Sequence, residues 1–420
     1  MADNKYAKLI CVTANNNNKY YEMTDRGDGN FDVKYGRVNL TEQCASYASS
    51  MWDKKYKEKV KKGYKDVTHL YVEAKSTDGA GPAKVVDIAD QAVKRIINDL
   101  QSYANKTVSE NYEISKEAVT QAMVDEAQGI VNDIAGQVKK GMNVSEINDM
   151  LVKLYTTIPR KMRHVRQHLL GTTEWVERNG TATDKEMITF AQNMVDTEQS
   201  TLDTMAGQVL LISNQKVAGD KPAEASISIL DQLGITMEIA TAAEVEIVKQ
   251  MLGDSAKRLV RVYRAECNKT GSLYDSNLKR AKDKKVEMFF HGSRNQNWFN
   301  ILQTGLMIRP SGAIHTGSMF GDGIYFADKA QKSMGYSSLS GSYWSKGNSS
   351  QGFLGIFATH VGKQKNIKHH DSSCYNIDKK KITSDGFDSV FAHGGADLRN
   401  NEYIVYDQAQ CTVKYLVELK

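Results

Sequence analysis

The run Phe289-Phe290-His291-Gly292-Ser293-Arg294, with Met288 before it, reads as a short apolar strand that ends in a His-Gly turn. A glycine there lets the backbone approach a ligand closely. Downstream, Gly323-Ile324-Tyr325-Phe326-Ala327-Asp328 reads as a second strand, entered through glycines, with an aromatic in its middle. Asn401-Glu402-Tyr403-Ile404-Val405-Tyr406-Asp407 is a third β-rich run, with a carboxylate near its start. One His, one Tyr and one Glu on three separate strands are expected to converge on a single cleft. Taken singly, each has an ordinary reading: a satisfied core histidine, a strand aromatic, an edge-strand charge. Their joint occurrence in this order argues for a site.

In these contexts His291, Tyr325 and Glu402 resemble the His-Tyr-Glu triad of the poly(ADP-ribose) polymerase family. The likeness extends to Arg294 and Asn297 in the first run, to Phe326 and Ala327 in the second, and to Lys332-Ser333 beyond it. It covers residues 224–420. It implies an ADP-ribosyltransferase catalytic domain of mixed α+β fold, with two packed antiparallel-rich sheets and NAD as substrate.

Cleaving the bond between nicotinamide and ribose builds positive charge on the ribose, through an oxocarbenium-like transition state of the kind met in glycoside cleavage. A site for this must clamp the nicotinamide flat and orient the ribose. It must also place a carboxylate where the charge and the incoming hydroxyl will be. The resemblance implies the roles. His291 would bond the adenosine-side ribose, with Ser293 nearby. The Gly292 main chain and the Ser333 hydroxyl would hold the carboxamide, which needs one donor and one acceptor. Tyr336 would stack on the nicotinamide ring and Tyr325 would close the other wall. Glu402 would bond the nicotinamide-ribose hydroxyl, stabilise the cation and orient the acceptor. Lys332 matches a family lysine near the acceptor side. Polymer-building members carry the glutamate, so chain elongation is expected, with single ADP-ribose transfer as the alternative. A nucleic-acid-binding module with an inert transferase fold is opposed by the intact His-Tyr-Glu set.

The likeness stops at Asn300, Met307 and Ser318, where relatives commonly carry Gly, Arg and an aromatic. Adenine-side contacts and the grip on the acceptor are the functions these changes touch. The Ser- and Gly-rich stretch 337–350 is expected to be a mobile loop. No metal-ligand set and no Gly-rich phosphate loop are evident, so metal-independent catalysis is expected.

Before the catalytic region the chain changes character twice. Residues 1–75 read as one domain, in which residues 5–40 alternate in the β manner around Leu9, Tyr21 and Tyr35, with a turn at Arg26-Gly27-Asp28-Gly29-Asn30. Residues 44–62 are predicted helical, with Lys54, Lys55, Lys57, Lys59, Lys61 and Lys62 crowded together, and Thr68–Val72 is predicted to be a last strand. The Asn-Lys-Tyr-Tyr run and the Tyr35-Gly36-Arg37 turn resemble a WGR domain, with Tyr35 where the family usually has Trp. That resemblance implies that Tyr35 and Arg37 contact DNA ends or neighbouring domains. The alternative is a strand aromatic beside a solvated helix face.

Residues 76–84, small and polar with Gly and Pro, read as a linker. From 85 to 218 the period becomes helical: Val119, Met123, Ala127, Ile130, Ile134 and Val138 share a face. Asn143 with Glu146 predicts a capping box, and Ile158-Pro159 stops the helix that follows. Leu154–Pro159 resembles a joint in the family's helical regulatory domain, which implies an autoinhibitory bundle; a plain scaffold is the alternative. His164 and His168 fall one helical turn apart, a spacing metal sites use, but no third ligand is evident and the basic neighbourhood favours a charged helix face over a metal site. The expected whole is a multidomain α+β protein of three parts.

Its 420 residues, 40% hydrophobic and 25% charged, suit several globular domains. No apolar run long enough for a membrane span and no secretory leader is expected. The five cysteines are scattered without a CxxC pair, which argues against a zinc finger or disulfide scaffold and for a reducing, intracellular setting. By resemblance that setting is the nucleus in a eukaryote, or the cytoplasm or nucleoid in a prokaryote. The partners implied are DNA with strand breaks and protein acceptors, the chain itself included. A formal charge of +5 permits nucleic-acid binding without demanding it.

Overall fold

The computed structural model describes residues 5–71, 85–112, 119–141, 143–219, 227–308 and 319–420. The expected linker, Val72, Ser318 and the turn after Gly219 lie outside the described residues. The chain forms two compact units. One draws on Met1–Gly79 and Lys106–Val209, the other on Ala80–Asn105, Leu210–Pro310 and Gly317–Lys420.

The first unit begins with strands β1 (Tyr6–Thr13), β2 (Asn17–Asp25), β3 (Asn30–Arg37), β4 (Gln43–Ala48) and β5 (Lys65–Asp66), in the order β4-β3-β2-β1-β5. Every pairing is antiparallel. The predicted turn at 26–30 joins β2 to β3, and Gly27 and Gly29 take positive φ in it. Leu9, Tyr21, Met23, Phe31 and Val33 pack on one face against Trp52 of helix α1 (Trp52–Lys61). Ile10 and Val12 point the other way, into the helical core. With both faces covered, β1 loses the polar alternation of a half-buried strand.

Two sequence expectations fail here. The helix predicted over 44–62 starts only at Trp52, because 43–48 pairs along β3 and sets Tyr47 beside Phe31, rings 5.7 Å apart. Thr68–Leu70 is a 3-10 turn rather than a strand, since the Asp66 carboxylate accepts the Thr68 N–H at 2.8 Å and its hydroxyl as well.

The helices are α2 (Gln91–Asn111), α3 (Gln121–Lys140), α4 (Val144–Thr157), α5 (Thr173–Asn179) and α6 (Asp184–Gly219). The predicted α3 stripe is buried and joins Ile147, Leu151 and Leu154 of α4 in one core. Thr120 caps α3, and Gly141 ends it in the left-handed region. Asn143 caps α4 by accepting from the Ser145 and Glu146 N–H groups. The Glu146 carboxylate returns to the Asn143 side chain at 2.9 Å. His164 and His168 do not share an α-helical face: Val165–His168 is a 3-10 turn. Burial, then Arg160 and Arg178, push the His168 imidazole down to about 4, so it is neutral near pH 7.

In the second unit a parallel bridge joins β6 (Val85–Val86) to β7 (Ile227–Ser228). Then follow α7 (Ile229–Leu233), β8 (Ile235–Ile239), α8 (Ala242–Leu252), β9 (Leu259–Cys267), α9 (Asn268–Arg280), β10 (Val286–Gly292), α10 (Asn295–Thr304), β11 (Ile324–Phe326), α11 (Ala330–Met334), β12 (Gly352–His360), β13 (Gln364–Ile367), α12 (Lys379–Ser384), β14 (Ser389–Ala392), β15 (Glu402–Val405) and β16 (Cys411–Leu419). One sheet runs β10-β12-β16-β9-β8 and is antiparallel throughout; the other runs β11-β15-β14-β13, with only β13 and β14 parallel. Every residue of β12 is buried.

The start of α2 packs in this unit, with Val93, Ile96, Ile97 and Leu100 against Tyr263, Phe353 and Leu416. Arg95 is ion-paired to buried Glu418 at 2.6 Å, and the Tyr103 hydroxyl donates to Gln351 at 2.8 Å. Among the described residues no helix is long and apolar enough to cross a membrane.

Candidate active site

Two reciprocal backbone hydrogen bonds stitch the sheets together where the first two sequence runs meet. Phe290 N–H donates to the Ala327 carbonyl at 2.9 Å, and Ala327 N–H donates back to Phe290 at 3.0 Å. This sets the end of β10 beside β11. The His291 ring then donates from Nδ1 to the Tyr325 carbonyl at 3.0 Å, which places the proton on that nitrogen. Tyr325 pairs with Ile404 of β15, and Glu402 opens that strand. His291, Tyr325 and Glu402 thus come from three strands that the fold holds together.

Helix α11 supplies the next layer. The Ser333 hydroxyl donates to the Phe290 carbonyl at 3.1 Å. A Cβ on Gly292 would lie 1.8 Å from the Ser333 carbonyl oxygen, so only glycine fits this crossing of β10 under α11. Gly323 is similarly confined, with Ile404 Cγ2 at 2.3 Å from a built Cβ. Lys332 forms an ion pair with Glu402 Oε1 and donates to the Asn401 carbonyl at 3.3 Å. Glu402 is only 8% exposed, and its Oε2 is buried without a hydrogen-bond partner. Burial, then the charge of Glu402, raises the nearby Tyr336 phenol to about 12.

The remaining predicted residues fall around this centre. Ser293 Oγ accepts from Asn297 Nδ2 at 2.9 Å, and its carbonyl accepts from Trp298 Nε1 at 3.2 Å. Arg294 is the residue before α10, in extended conformation. Phe326 is buried and packs against Phe289 and Phe357. The Tyr325 hydroxyl donates to the Gly321 carbonyl at 2.8 Å and accepts from Phe320 N–H at 3.0 Å, so this ring is tied by its tip to the 320–321 turn. Tyr35 and Arg37 belong to the first unit and are not part of the site. Tyr35 packs on Tyr21, and Arg37 bonds the Asn16 carbonyl at 2.7 Å and the Arg163 carbonyl at 3.2 Å.

Asn300, expected to touch the adenine-side region, is instead buried in α10, where its side chain accepts from Thr304 at 3.3 Å; it is a packing position. Met307 is 42% exposed. The 337–350 stretch, expected to be mobile, is laced by hydrogen bonds: Ser349 N–H to Ser338 O at 2.9 Å, Ser340 N–H to Ser349 O at 2.8 Å, and Trp344 N–H to Gly335 O at 2.9 Å.

Sequence reasoning gave no role to Asp328 or Asn401. The Asn401 amide donates to Asp328 at 2.8 Å and its oxygen accepts from Gly394 N–H at 2.9 Å, which fixes the entry to β15 and hence Glu402. Asp328 closes one of the motif runs already quoted and Asn401 opens another, which is the signal that could have found them. Among the described residues no group of three or more His, Cys, Asp or Glu is placed to hold a metal ion.

A glycine crossing, a tyrosine-walled turn and a lysine-paired glutamate on this pair of sheets define a domain of the NAD-dependent ADP-ribosyltransferase class. The family described as "Poly(ADP-ribose) polymerase catalytic domain" matches residues 242–420. An uncharacterized protein of Invertebrate iridescent virus 6 is 38% identical over 165 residues, 39% of this chain and 68% of the viral one. Poly [ADP-ribose] polymerase 1 of Gallus gallus is 27% identical over 385 residues, covering 82% of this chain and 35% of the relative. Poly [ADP-ribose] polymerase of Drosophila melanogaster is 27% identical over 366 residues, covering 80% of this chain and 34% of the relative. The chain belongs to the poly(ADP-ribose) polymerase family. It spans about a third of the length of the chicken and fly polymerases it matches.

Proposed function

We propose that this protein is an NAD-dependent poly(ADP-ribosyl)transferase that breaks the nicotinamide–ribose bond and passes ADP-ribose to itself and to other proteins. The observation that carries the reading is the state of Glu402. One oxygen is held by Lys332 and the other is buried with no partner. A buried carboxylate oxygen left bare is costly unless a ligand donor completes it. A ribose hydroxyl is such a donor. With that bond made, the carboxylate faces the positive charge that develops as the C1′–N bond breaks. Nicotinamide leaves with the bonding pair. The acceptor hydroxyl then forms the new C1′–O bond and loses its proton toward the carboxylate.

His291 orients the adenosine-side ribose. The Ser333 hydroxyl, already donating to Phe290, meets the carboxamide as an acceptor of its N–H. The Gly292 main chain supplies the complementary contact, and Tyr336 stacks on the ring.

We further assign the N-terminal sheet and helix to a WGR-like sensor of DNA breaks, and the helical region to the gate it controls. Lys54, Lys57, Lys61 and Lys62 are exposed along and just beyond α1 and suit phosphate. Asn16 of the β1–β2 turn and Asn18 near the start of β2 grip the 160–165 segment: Val165 N–H donates to Asn16 Oδ1 and Asn18 Nδ2 donates to the Arg160 carbonyl, each at 3.0 Å. Contact at the sheet would thereby be felt in the helices. The test is incubation with labelled NAD, with and without nicked duplex DNA, followed by sizing of the labelled products. A ladder that strengthens with DNA supports the reading. One sharp band would replace polymer synthesis by single transfer, and an equal ladder without DNA would remove the sensor role.

A further inference from the structure

The 337–350 loop places an aromatic pair against the wall of the site. The Trp344 ring lies 6.2 Å from that of Tyr336 at an interplanar angle of 20°, and Tyr343 meets Trp344 edge-on at 4.7 Å. Trp344 is 57% exposed and Tyr343 77%, so neither is there to fill a core. Yet Trp344 is closely fixed. Its own N–H and that of Ser345 both donate to the Gly335 carbonyl, at 2.9 and 3.1 Å. The Ser342 hydroxyl donates to Met334 O at 3.0 Å, and the Ser345 hydroxyl to Ser337 O. A Cβ on Gly335 would sit 3.1 Å from Trp344 Cδ1, so the glycine before Tyr336 admits the indole. Buried Leu339 anchors the start of the loop.

We propose that Trp344 is a positioning residue for nicotinamide: stacked on one face of Tyr336, it fixes the plane of that ring so that the opposite face receives the nicotinamide. The proposal rests on the reading of Tyr336 as the nicotinamide-stacking wall. A phenol ring on a short side chain rotates about two torsions, and stacking from one side removes that freedom before the substrate arrives. Such an effect is uniform in ground and transition states, so it acts on KM rather than kcat.

The test uses the full chain and benzamide, which keeps the ring and carboxamide of nicotinamide. Its affinity is measured by calorimetry for the native protein and for Trp344→Ala, Trp344→Leu, Trp344→Phe and Tyr336→Ala, alongside NAD kinetics. Trp344→Ala and Trp344→Leu are expected to weaken benzamide roughly three- to tenfold and to raise the KM for NAD by the same factor, with kcat within about twofold. Trp344→Phe, which restores a flat ring, should recover most of the loss. The leucine variant keeps apolar bulk, so loss of packing alone would spare it. If both the Ala and Leu variants bind benzamide like the native protein while Tyr336→Ala is weakened, the role of Trp344 is overturned and that of Tyr336 stands. If Tyr336→Ala also binds normally, the nicotinamide reading of this wall falls, and the proposal with it.

Discussion

Each unit of this protein buries one cation–carboxylate pair to nearly the same depth, and the two are built differently. In the first unit Arg160 and Glu198 have side chains 12% and 4% exposed; in the second Lys332 and Glu402 are 13% and 10% exposed. Arg160 is enclosed. Its guanidinium lies over the Tyr112 and Tyr155 rings, and the Tyr112 hydroxyl bridges to Glu198 at 3.2 Å. Burial opposes its charge, but Glu198 and the tyrosines hold it well above the ordinary range. Only Arg160 Nε is left bare, while both contacts to Glu198 converge on one oxygen from neighbouring elements. Lys332 offers a single flexible ammonium, and the bare atom there is an oxygen of the carboxylate itself. Equal depth therefore does not mean equal purpose. One pair locks helices together; the other holds an acceptor in reserve.

Altering one partner of each pair should separate the two roles most clearly. Arg160→Ala strands Glu198 in the interior and should cost the first unit about 3–5 kcal/mol in denaturant unfolding. An unchanged midpoint would mean that the pair does not hold the helices. Glu402→Gln should do the reverse. Chain elongation is expected to fall about a hundredfold or more, with NAD cleavage less affected, while the melting temperature barely moves. Polymer made at the native rate would remove Glu402 from the mechanism.

A smaller effect lies beside Arg160, at His168. Its folded value of about 4 is below the ordinary 6.5, so folding disfavours its protonation. Its share of stability is complete above pH 6.5 and lost as pH falls toward 4. That loss is about 1–2 kcal/mol after allowing for its partial exposure, and His168→Gln should flatten it in pH-dependent melts. The least effect is expected at a third buried carboxylate. Glu418 accepts from Arg95, from the Tyr263 hydroxyl at 3.2 Å and from Gln351 at 2.8 Å, so Arg95→Ala leaves two donors in place. About 1 kcal/mol in thermal unfolding is the expected cost. A loss as large as that of Arg160→Ala would mean that donor number does not grade these sites.

What the sequence disclosed follows the same division. His291, Tyr325 and Glu402 stood out because each lies in a short strand whose neighbours are dictated by close backbone crossings, as at Gly292 and Gly323. The α3 stripe was legible because a buried helix face has a period. Partnership was not: the periodic face of α2 gives no sign that Ile96 and Leu100 pack against Tyr263 and Phe353 rather than among the helices. Residues 43–48 were misread because pairing with β3 overrode local helical preference. Trp344 was hidden by composition. A loop of Ser and Gly looks slack until its hydroxyls are found on carbonyls of the neighbouring turn.

The position of β16 sets the order in which the catalytic unit can be assembled. It lies between β12 and β9, with Tyr415 opposite Arg264 and Leu419 opposite Leu259. As the chain leaves the ribosome, β8 and β9 can pair early, but their neighbour on the other side is made some 150 residues later. Pairings so distant in sequence are slow to form and leave strand edges exposed meanwhile. The half-built sheet is thus a natural client for a chaperone, and shortening Cys411–Leu419 by even a few residues would leave two half-sheets rather than a trimmed enzyme.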